Sequence, residues 1–158
     1  MKTIFPLLFL LLTLPCHARI GENLEQSVAR YGPVVKDAPH GTIFKKGDFD
    51  IQVHFFNGQT DYLVIVKDPG AAVQDITSEE LESLLLANFN DMKYSKHIEG
   101  NKLLFMSAFG AIAACYDPAD RSLCVMSAEY MQRNREAKAA RGETVSYTHL
   151  TLPTKRIV

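Results

Sequence analysis

Apolar and polar side chains alternate along two runs that are separated by the pair Asn57-Gly58. The runs are Phe49 to Phe56 and Gln59 to Lys67. Alternation is typical of half-buried strands, and Asn-Gly favours a tight hairpin because both turn residues must take positive φ. A shorter run, Thr42 to Lys45, precedes them. The pattern therefore predicts a three-strand antiparallel meander.

The two-residue turn also predicts how the hairpin is paired. Phe55 is expected opposite Thr60, and His54 opposite Asp61. His54 and Asp61 then fall on the solvent side as a polar pair, in which the carboxylate favours a charged imidazole. The opposite face is expected to be core, and its side chains are Ile51, Val53, Phe55, Tyr62 and Val64.

A helix is predicted before this meander. Asn23 suits its N-cap, and Gln26 stands three residues later, where a capping-box partner belongs. Gly32-Pro33 ends the helix, because glycine favours the position after the last turn and proline cannot continue it. Three apolar residues share one face of this helix: Leu24, Val28 and Tyr31.

The same order of elements recurs in the second half of the chain. A helix opens at Thr77 or Ser78, and a last helical stretch starts near Glu129. The first of these helices is expected to bury a stripe formed by Leu81, Leu84, Leu85 and Phe89. The three strands expected between the helices are Lys102 to Ala108, Ala111 to Tyr116 and Ser122 to Ser127.

Helices followed by runs of strands with tight turns indicate an α+β fold built from antiparallel meanders. We expect a single domain over residues 19–143. The recurring order suggests a tandem αβββ repeat within it, with halves at residues 19–68 and 76–130.

The first 18 residues predict a signal peptide. Lys2 gives a basic start, Phe5 to Leu14 is an apolar run, and Cys16-His17-Ala18 resembles a cleavage site. The run is too short for a stable membrane anchor. Acylation of Cys16, as in a lipoprotein, is disfavoured because Pro15 precedes it. We therefore expect an exported protein, periplasmic or extracellular, with no transmembrane segment after cleavage.

The last residues do not read as part of the natural protein. Val145–Thr154 resembles the translation of the adapter DNA used in transposase-based sequencing libraries. We expect residues 144–158 to be a non-native tail, with the natural sequence readable through Glu143. Such segments are left out of the fold.

Composition narrows the classes of function. The 158 residues are 47% hydrophobic and 22% charged, with a formal net charge of -1, which is ordinary for a globular domain. This balance gives no basic surface for nucleic acid. No catalytic, metal-binding or phosphate-binding motif stands out, so no cofactor is expected.

Cys115 and Cys124 flank a short turn in the second meander. Pairing of Asp117 with Ser122 would place the two cysteines directly opposite each other, within disulfide range. Export to an oxidising compartment permits the bond. A disulfide and a pair of free thiols both remain open, and a catalytic cysteine is disfavoured because no histidine is marked as its base.

One spaced pattern resembles a known family. Gly21, Asn23, Tyr31, Gly32 and Pro33 are similar to the opening motif of small exported modules such as the outer-membrane assembly lipoprotein BamE and the secreted β-lactamase-inhibitor proteins. In this chain Asn23 replaces the usual threonine, and Pro33 follows Gly32 with no spacer. The chain also resembles short, uncharacterised exported bacterial proteins. The resemblance implies an antiparallel meander and a protein-binding role.

These observations lead to two hypotheses. The first is a non-enzymatic protein-binding or envelope-associated module whose partner is another envelope protein. The alternative is a small periplasmic hydrolase or enzyme inhibitor with a cleft near His54 and Asp61. A pocket holding those two side chains would favour the alternative, and an exposed apolar sheet face would favour the binder.

Overall fold

The structure is a computed structural model that describes residues 19–89 and 92–142. Both expected terminal segments, the signal peptide at 1–18 with Cys16 and the adapter-like tail at 144–158, lie outside these residues. The described helices are Leu24–Tyr31 (α1), Ser78–Phe89 (α2) and Ala128–Ala140 (α3). The described strands are Lys36–Ala38 (β1), Gly41–Lys46 (β2), Phe49–Phe56 (β3), Gln59–Lys67 (β4), Tyr94–Glu99 (β5), Lys102–Ser107 (β6), Ile112–Asp117 (β7) and Ser122–Ser127 (β8).

The eight strands form one sheet in the order β1-β2-β3-β4-β8-β7-β6-β5. Every neighbouring pair is antiparallel. Each half of the chain supplies a meander, and the last strands of the two meanders, β4 and β8, pair at the centre. The predicted α+β class is confirmed. The tandem relation between the halves stays a prediction.

Each meander has four strands, so the expected count of three is wrong. The additional strands are β1 and β5, which form the two edges of the sheet. All residues of β5 after Tyr94 are exposed, although the strand pairs with β6 along its whole length. Because neither face of β5 is buried, no alternation of apolar and polar residues marks it in the sequence.

Helix α1 begins and ends as predicted. Asn23 and Gln26 form the reciprocal capping box, and Gly32 follows the last turn at φ 94°. Tyr31 is buried and packs against Phe44 of β2, with ring centroids 5.3 Å apart. The helix docks through its Ser27 and Tyr31 side, which leaves the other two apolar residues of the expected stripe, Leu24 and Val28, exposed.

Helix α2 lies on the same face of the sheet and supplies much of the core. Leu81, Leu85 and Phe89 are buried, and Leu84 packs against the cluster from its edge. Full burial of such a side chain contributes about 1.5–3 kcal/mol, so this layer is a main source of stability. The strand residues that meet it at the centre of the sheet are Ile51, Val53, Leu63, Ile65, Leu123 and Val125.

A β-bulge changes the predicted hairpin register. Phe55 pairs with Thr60 as expected, but the pairing shifts between His54 and Phe55. His54 then lies opposite Tyr62, so its predicted pairing with Asp61 is wrong. Asp61 is left without a cross-strand partner, which is how a bulge accommodates one extra residue.

The shift also exchanges the two faces of β4, because side chains alternate with a period of two. Leu63 and Ile65 enter the core, whereas Tyr62 and Val64 lie half-buried on the opposite face. The expected core positions of Tyr62 and Val64 are therefore wrong. Phe55 packs against the core from its edge.

Candidate functional site

Most of one sheet face carries no helix in the described part of the chain. We call this surface the open face and define it by half-buried residues of four adjacent strands. Along one row, Leu104, Cys115, Cys124 and Val64 are successive cross-strand neighbours. The residues of the open face are Val64, Val66, Leu104, Met106, Cys115, Cys124 and Met126.

Charged side chains border the open face on both sides. Lys102 Nζ lies 2.7 Å from Asp117 Oδ2, and the hydrogen bond from Lys102 holds the pKa of Asp117 below its usual value. On the far side, Lys45 of β2 forms an ion pair with Asp68, which lowers the pKa of that carboxyl. The open face therefore has an apolar centre and a rim of both charge signs.

The side chains of His54 and Asp61 contact each other next to this face, although the two residues are not cross-strand partners. His54 Nδ1 lies 2.8 Å from Asp61 Oδ1, and Arg133 of α3 donates to Asp61 Oδ2. The Asp61 side chain is only 9% exposed, so it is not the surface group that the hairpin pattern suggested. Both of its oxygens have partners, which suits an anchor for α3 better than a general base.

Helix α3 attaches to the edge of the open face mainly through two side chains. Tyr130 stacks on Tyr62, with ring centroids 4.6 Å apart. The Arg133 guanidinium lies 3.6 Å from the ring centroid of Phe56. No α3 residue is fully buried, and such ring contacts are worth about 0.5–1.5 kcal/mol each. The helix is therefore held against the sheet by side-chain contacts rather than by a fully buried apolar face.

The predicted cysteine register is confirmed. Cys115 of β7 lies directly opposite Cys124 of β8, and both are half-buried free thiols in the structure. The Tyr62 hydroxyl donates to Cys124 Sγ at 3.5 Å. Burial and the neighbouring Cys124 raise the pKa of the Cys115 thiol, and burial raises the pKa of Tyr62. The disulfide stays a prediction.

A cleft of about 780 Å³ lies on the helix side of the sheet, between α2 and the β2–β3 turn. Tyr31, Phe49 and Leu84 contribute apolar walls. Asp48 and Glu79 contribute carboxylates. His54 and Asp61 are not among its lining residues.

An ion pair that includes a buried lysine lies at this cleft, because its carboxylate partner, Glu80, is one of the lining residues. Lys67 of β4 is only 4% exposed at its side chain and bonds to Glu80 of α2. Its ammonium also lies 4.6 Å from the centre of the Phe49 ring. Burial raises the pKa of Glu80, but hydrogen bonds from Lys67 and Thr77 outweigh it, and the net shift is downward. The pair links α2 to β4 at the centre of the sheet.

Sequence reasoning missed the groups that connect separate elements. A last helix was expected from near Glu129, but no contact was assigned to Arg133 or Tyr130, and Lys67 was named only as the end of a strand. The contact between Arg133 and Asp61 joins residues 72 positions apart. No local pattern encodes such a contact, because its two residues lie in elements that are far apart in the sequence.

The described residues contain neither a metal-binding cluster of His, Cys, Asp and Glu nor a helix that could span a membrane. In residues 19–89 and 92–142, no group of three or more His, Cys, Asp and Glu side chains could hold a metal ion. Nor does any helix in the same residues have the length and hydrophobicity needed to cross a membrane.

Comparison with known proteins adds little. No family model matches the chain, and no curated protein matches it significantly. Among solved structures, it is similar to the crystal structure of a cysteine-rich secretory protein, SAV1118, from Staphylococcus aureus subsp. aureus Mu50. That match has a TM-score of 0.40 and 12% identity, covering 70% of this chain and 45% of the other. The chain thus spans less than half of that protein, and no functional argument follows.

Proposed function

We propose that this protein is an exported, non-enzymatic binding module that docks an envelope protein on its open face. The observation that carries the proposal is the apolar centre of that face, where Val64, Val66 and Leu104 remain partly exposed. Contiguous apolar surface with a polar rim is typical of protein interaction sites. The expected signal peptide supports the compartment.

The size of the open face suits such a partner. Four adjacent strands spaced about 4.8 Å apart and about six residues long give a face of roughly 400 Å². A standard protein interface buries about 800 Å² on each side, so a face of this size suits the smaller interface of a transient complex. The rim pairs Lys102–Asp117 and Lys45–Asp68 carry both signs. We therefore infer a folded partner with a flat apolar patch bordered by mixed charges.

Crosslinking from defined positions tests the proposal. A photoreactive residue placed at Val64 or Leu104 should capture the same envelope protein in intact cells. The matched control is Val73, an exposed apolar residue of the β4–α2 linker, which should not capture it. Val64→Lys should also abolish capture from Leu104. Equal capture from Val73, or none from the open face, would contradict the proposal.

The alternative, a hydrolase or enzyme inhibitor acting through His54 and Asp61, remains a second hypothesis. It requires Asp61 to be available to a substrate, whereas both of its oxygens are engaged by His54 and Arg133. A substrate screen distinguishes the two ideas. Turnover that disappears in His54→Gln, with folding retained, would favour the alternative over the binder.

A further inference from the structure

Sulfur-bearing side chains are concentrated on the open face, although docking a protein does not require sulfur. Cys115 and Cys124 are direct cross-strand neighbours. Met126 lies two residues beyond Cys124 on β8, and Met106 lies on β6, both half-buried. Side chains two residues apart in a strand share a face. Two thiols and two thioethers therefore occupy one side of three adjacent strands.

The register brings these groups within reach of one another. Met106 and Met126 are both cross-strand neighbours of Ala113, whose small side chain lies between them. Cross-strand pairs are about 4.5–5.5 Å apart and diagonal neighbours about 7–8 Å. The unbranched side chain of methionine has three rotatable bonds. Met126 can therefore extend across the diagonal toward the Cys115–Cys124 pair.

The kind of ligand decides which ion this cluster suits. Thiolate and thioether sulfurs are soft ligands that select Cu(I), whereas Mg²⁺ and Ca²⁺ require oxygen. Structural zinc takes four His, Cys or carboxylate ligands. Across residues 19–89 and 92–142, no cluster supplies even three such groups. Two thiols with nearby thioethers fit a soft ion of low coordination number.

We propose that the reduced protein binds one Cu(I) ion through the Sγ atoms of Cys115 and Cys124 and the Sδ atom of Met126. Binding releases the two thiol protons to solvent and transfers no electron, so no oxidant or reductant is consumed. The affinity therefore increases with pH. The Tyr62 hydroxyl, 3.5 Å from Cys124 Sγ, donates a hydrogen bond to the thiolate and orients it.

A disulfide between the same two sulfurs would exclude the ion. Metal binding and oxidation are thus alternative states of one cysteine pair, and the reduced state is the one to test. The chain has three cysteines, and the third, Cys16, lies outside the described residues. A Cys16→Ala background leaves Cys115 and Cys124 as the only thiols.

The experiment is a competition titration of the full chain in this background, reduced and free of oxygen. Cu(I) is supplied as its bicinchoninate complex, and the protein should remove one equivalent. Loss of an outer partner of a metal ligand typically costs roughly 10–100-fold in affinity, and loss of a ligand itself should cost at least as much. Cys115→Ser and Cys124→Ser should therefore weaken binding by about 100-fold or more, and Met126→Leu by about tenfold. Met131→Leu, on α3, is the matched control and should bind like the parent.

A second measurement covers the case in which a serine variant does not fold. Alkylation of both thiols of the reduced parent should abolish Cu(I) binding while the circular dichroism spectrum is retained. The proposal is overturned if the parent leaves the copper on bicinchoninate, or if alkylated protein still binds it. Unchanged affinity in Met126→Leu would overturn the three-sulfur site.

Discussion

Tyr62 of β4 and Tyr130 of α3 stack almost parallel, with ring centroids 4.6 Å apart and planes inclined by 5°. The Tyr62 hydroxyl also donates to Cys124 Sγ. One aromatic side chain therefore connects the last helix to the cysteine pair at the centre of the sheet. No α3 residue is fully buried, so this stack and the Arg133–Asp61 contact are among the interactions that hold the helix against the sheet.

Tyr130→Ala should loosen α3 without unfolding the sheet. Removing the stack should cost the helix on the order of 1–2 kcal/mol of local stability. Hydrogen exchange should show faster exchange of the α3 amides and unchanged exchange in β7. Gln132→Ala, on an exposed position of the same helix, is the control. Equal protection of α3 in the two variants would show that the stack does not hold the helix.

Arg133→Met should destabilise the protein because it leaves the Asp61 carboxylate buried with one partner fewer. We expect a loss of about 1–3 kcal/mol in urea unfolding. A double-mutant cycle with Asp61→Asn should give a clear coupling energy. Arg121→Met is the control, since the Arg121–Asp75 pair is exposed and should contribute under about 1 kcal/mol. Similar losses in both arginine variants would contradict this prediction.

Glu80 should make the stability depend on pH in mild acid. Its pKa lies below the ordinary 4.5, so its stabilising effect is complete above that value and is lost as the pH falls through the folded-state pKa. The difference in unfolding free energy between the wild type and Glu80→Gln should thus shrink from about pH 7 to about pH 3. Glu82→Gln, at an exposed position of the same helix, is the control. A constant difference for Glu80→Gln would exclude the Lys67 pair as its source.

Gly41→Ala and Gly47→Ala should differ sharply, although both glycines have positive φ. A Cβ at Gly41 would lie 2.7 Å from the Val53 carbonyl oxygen, whereas a Cβ at Gly47 meets nothing within 4 Å. Gly47→Ala should cost about 1–2 kcal/mol from the backbone conformation alone. Gly41→Ala should cost more, because the β2–β3 pairing must shift. Thermal unfolding compares them, and equal costs would refute the clash.

Oxidation should join Cys115 to Cys124 and stabilise the protein. Closing a loop of this size is worth about 2–3 kcal/mol in the chain-entropy model. Unfolding in oxidised glutathione should therefore occur at higher urea than unfolding in dithiothreitol. Cys124→Ala should remove the difference between the two conditions. Persistence of both thiols after oxidation, measured by mass, would rule out the bridge.

Local signals in the sequence predicted much of the fold. The capping box at Asn23 gave the limits of α1, and the short turn after Asp117 gave the cysteine register. In both cases the deciding interaction lies within a few residues of the signal. Such short-range contacts depend mainly on residues that are close in the sequence, so a local sequence pattern can predict them.

The features that were missed depend on the rest of the molecule. The residue left over at the bulge, Asp61, contacts Arg133, which comes from the other end of the domain. The bulge exchanges the faces of Tyr62 and Val64, and with them the composition of the open face. Strand β5 is set by pairing with β6 rather than by burial. The register of β4 and the presence of β5 therefore depend on long-range contacts rather than on local strand propensity.

The central pairing of β4 with β8 has a consequence for synthesis on the ribosome. Strand β4 cannot pair with β8 until the chain has been made through Met126, the partner of Tyr62. In the newly made first half, β4 is therefore an unpaired edge. That edge contains the consecutive residues Leu63, Val64, Ile65 and Val66, a segment prone to misassembly with other chains. A chain that ends before Ser122 would keep that edge unpaired, and we expect it to aggregate more readily than the full chain.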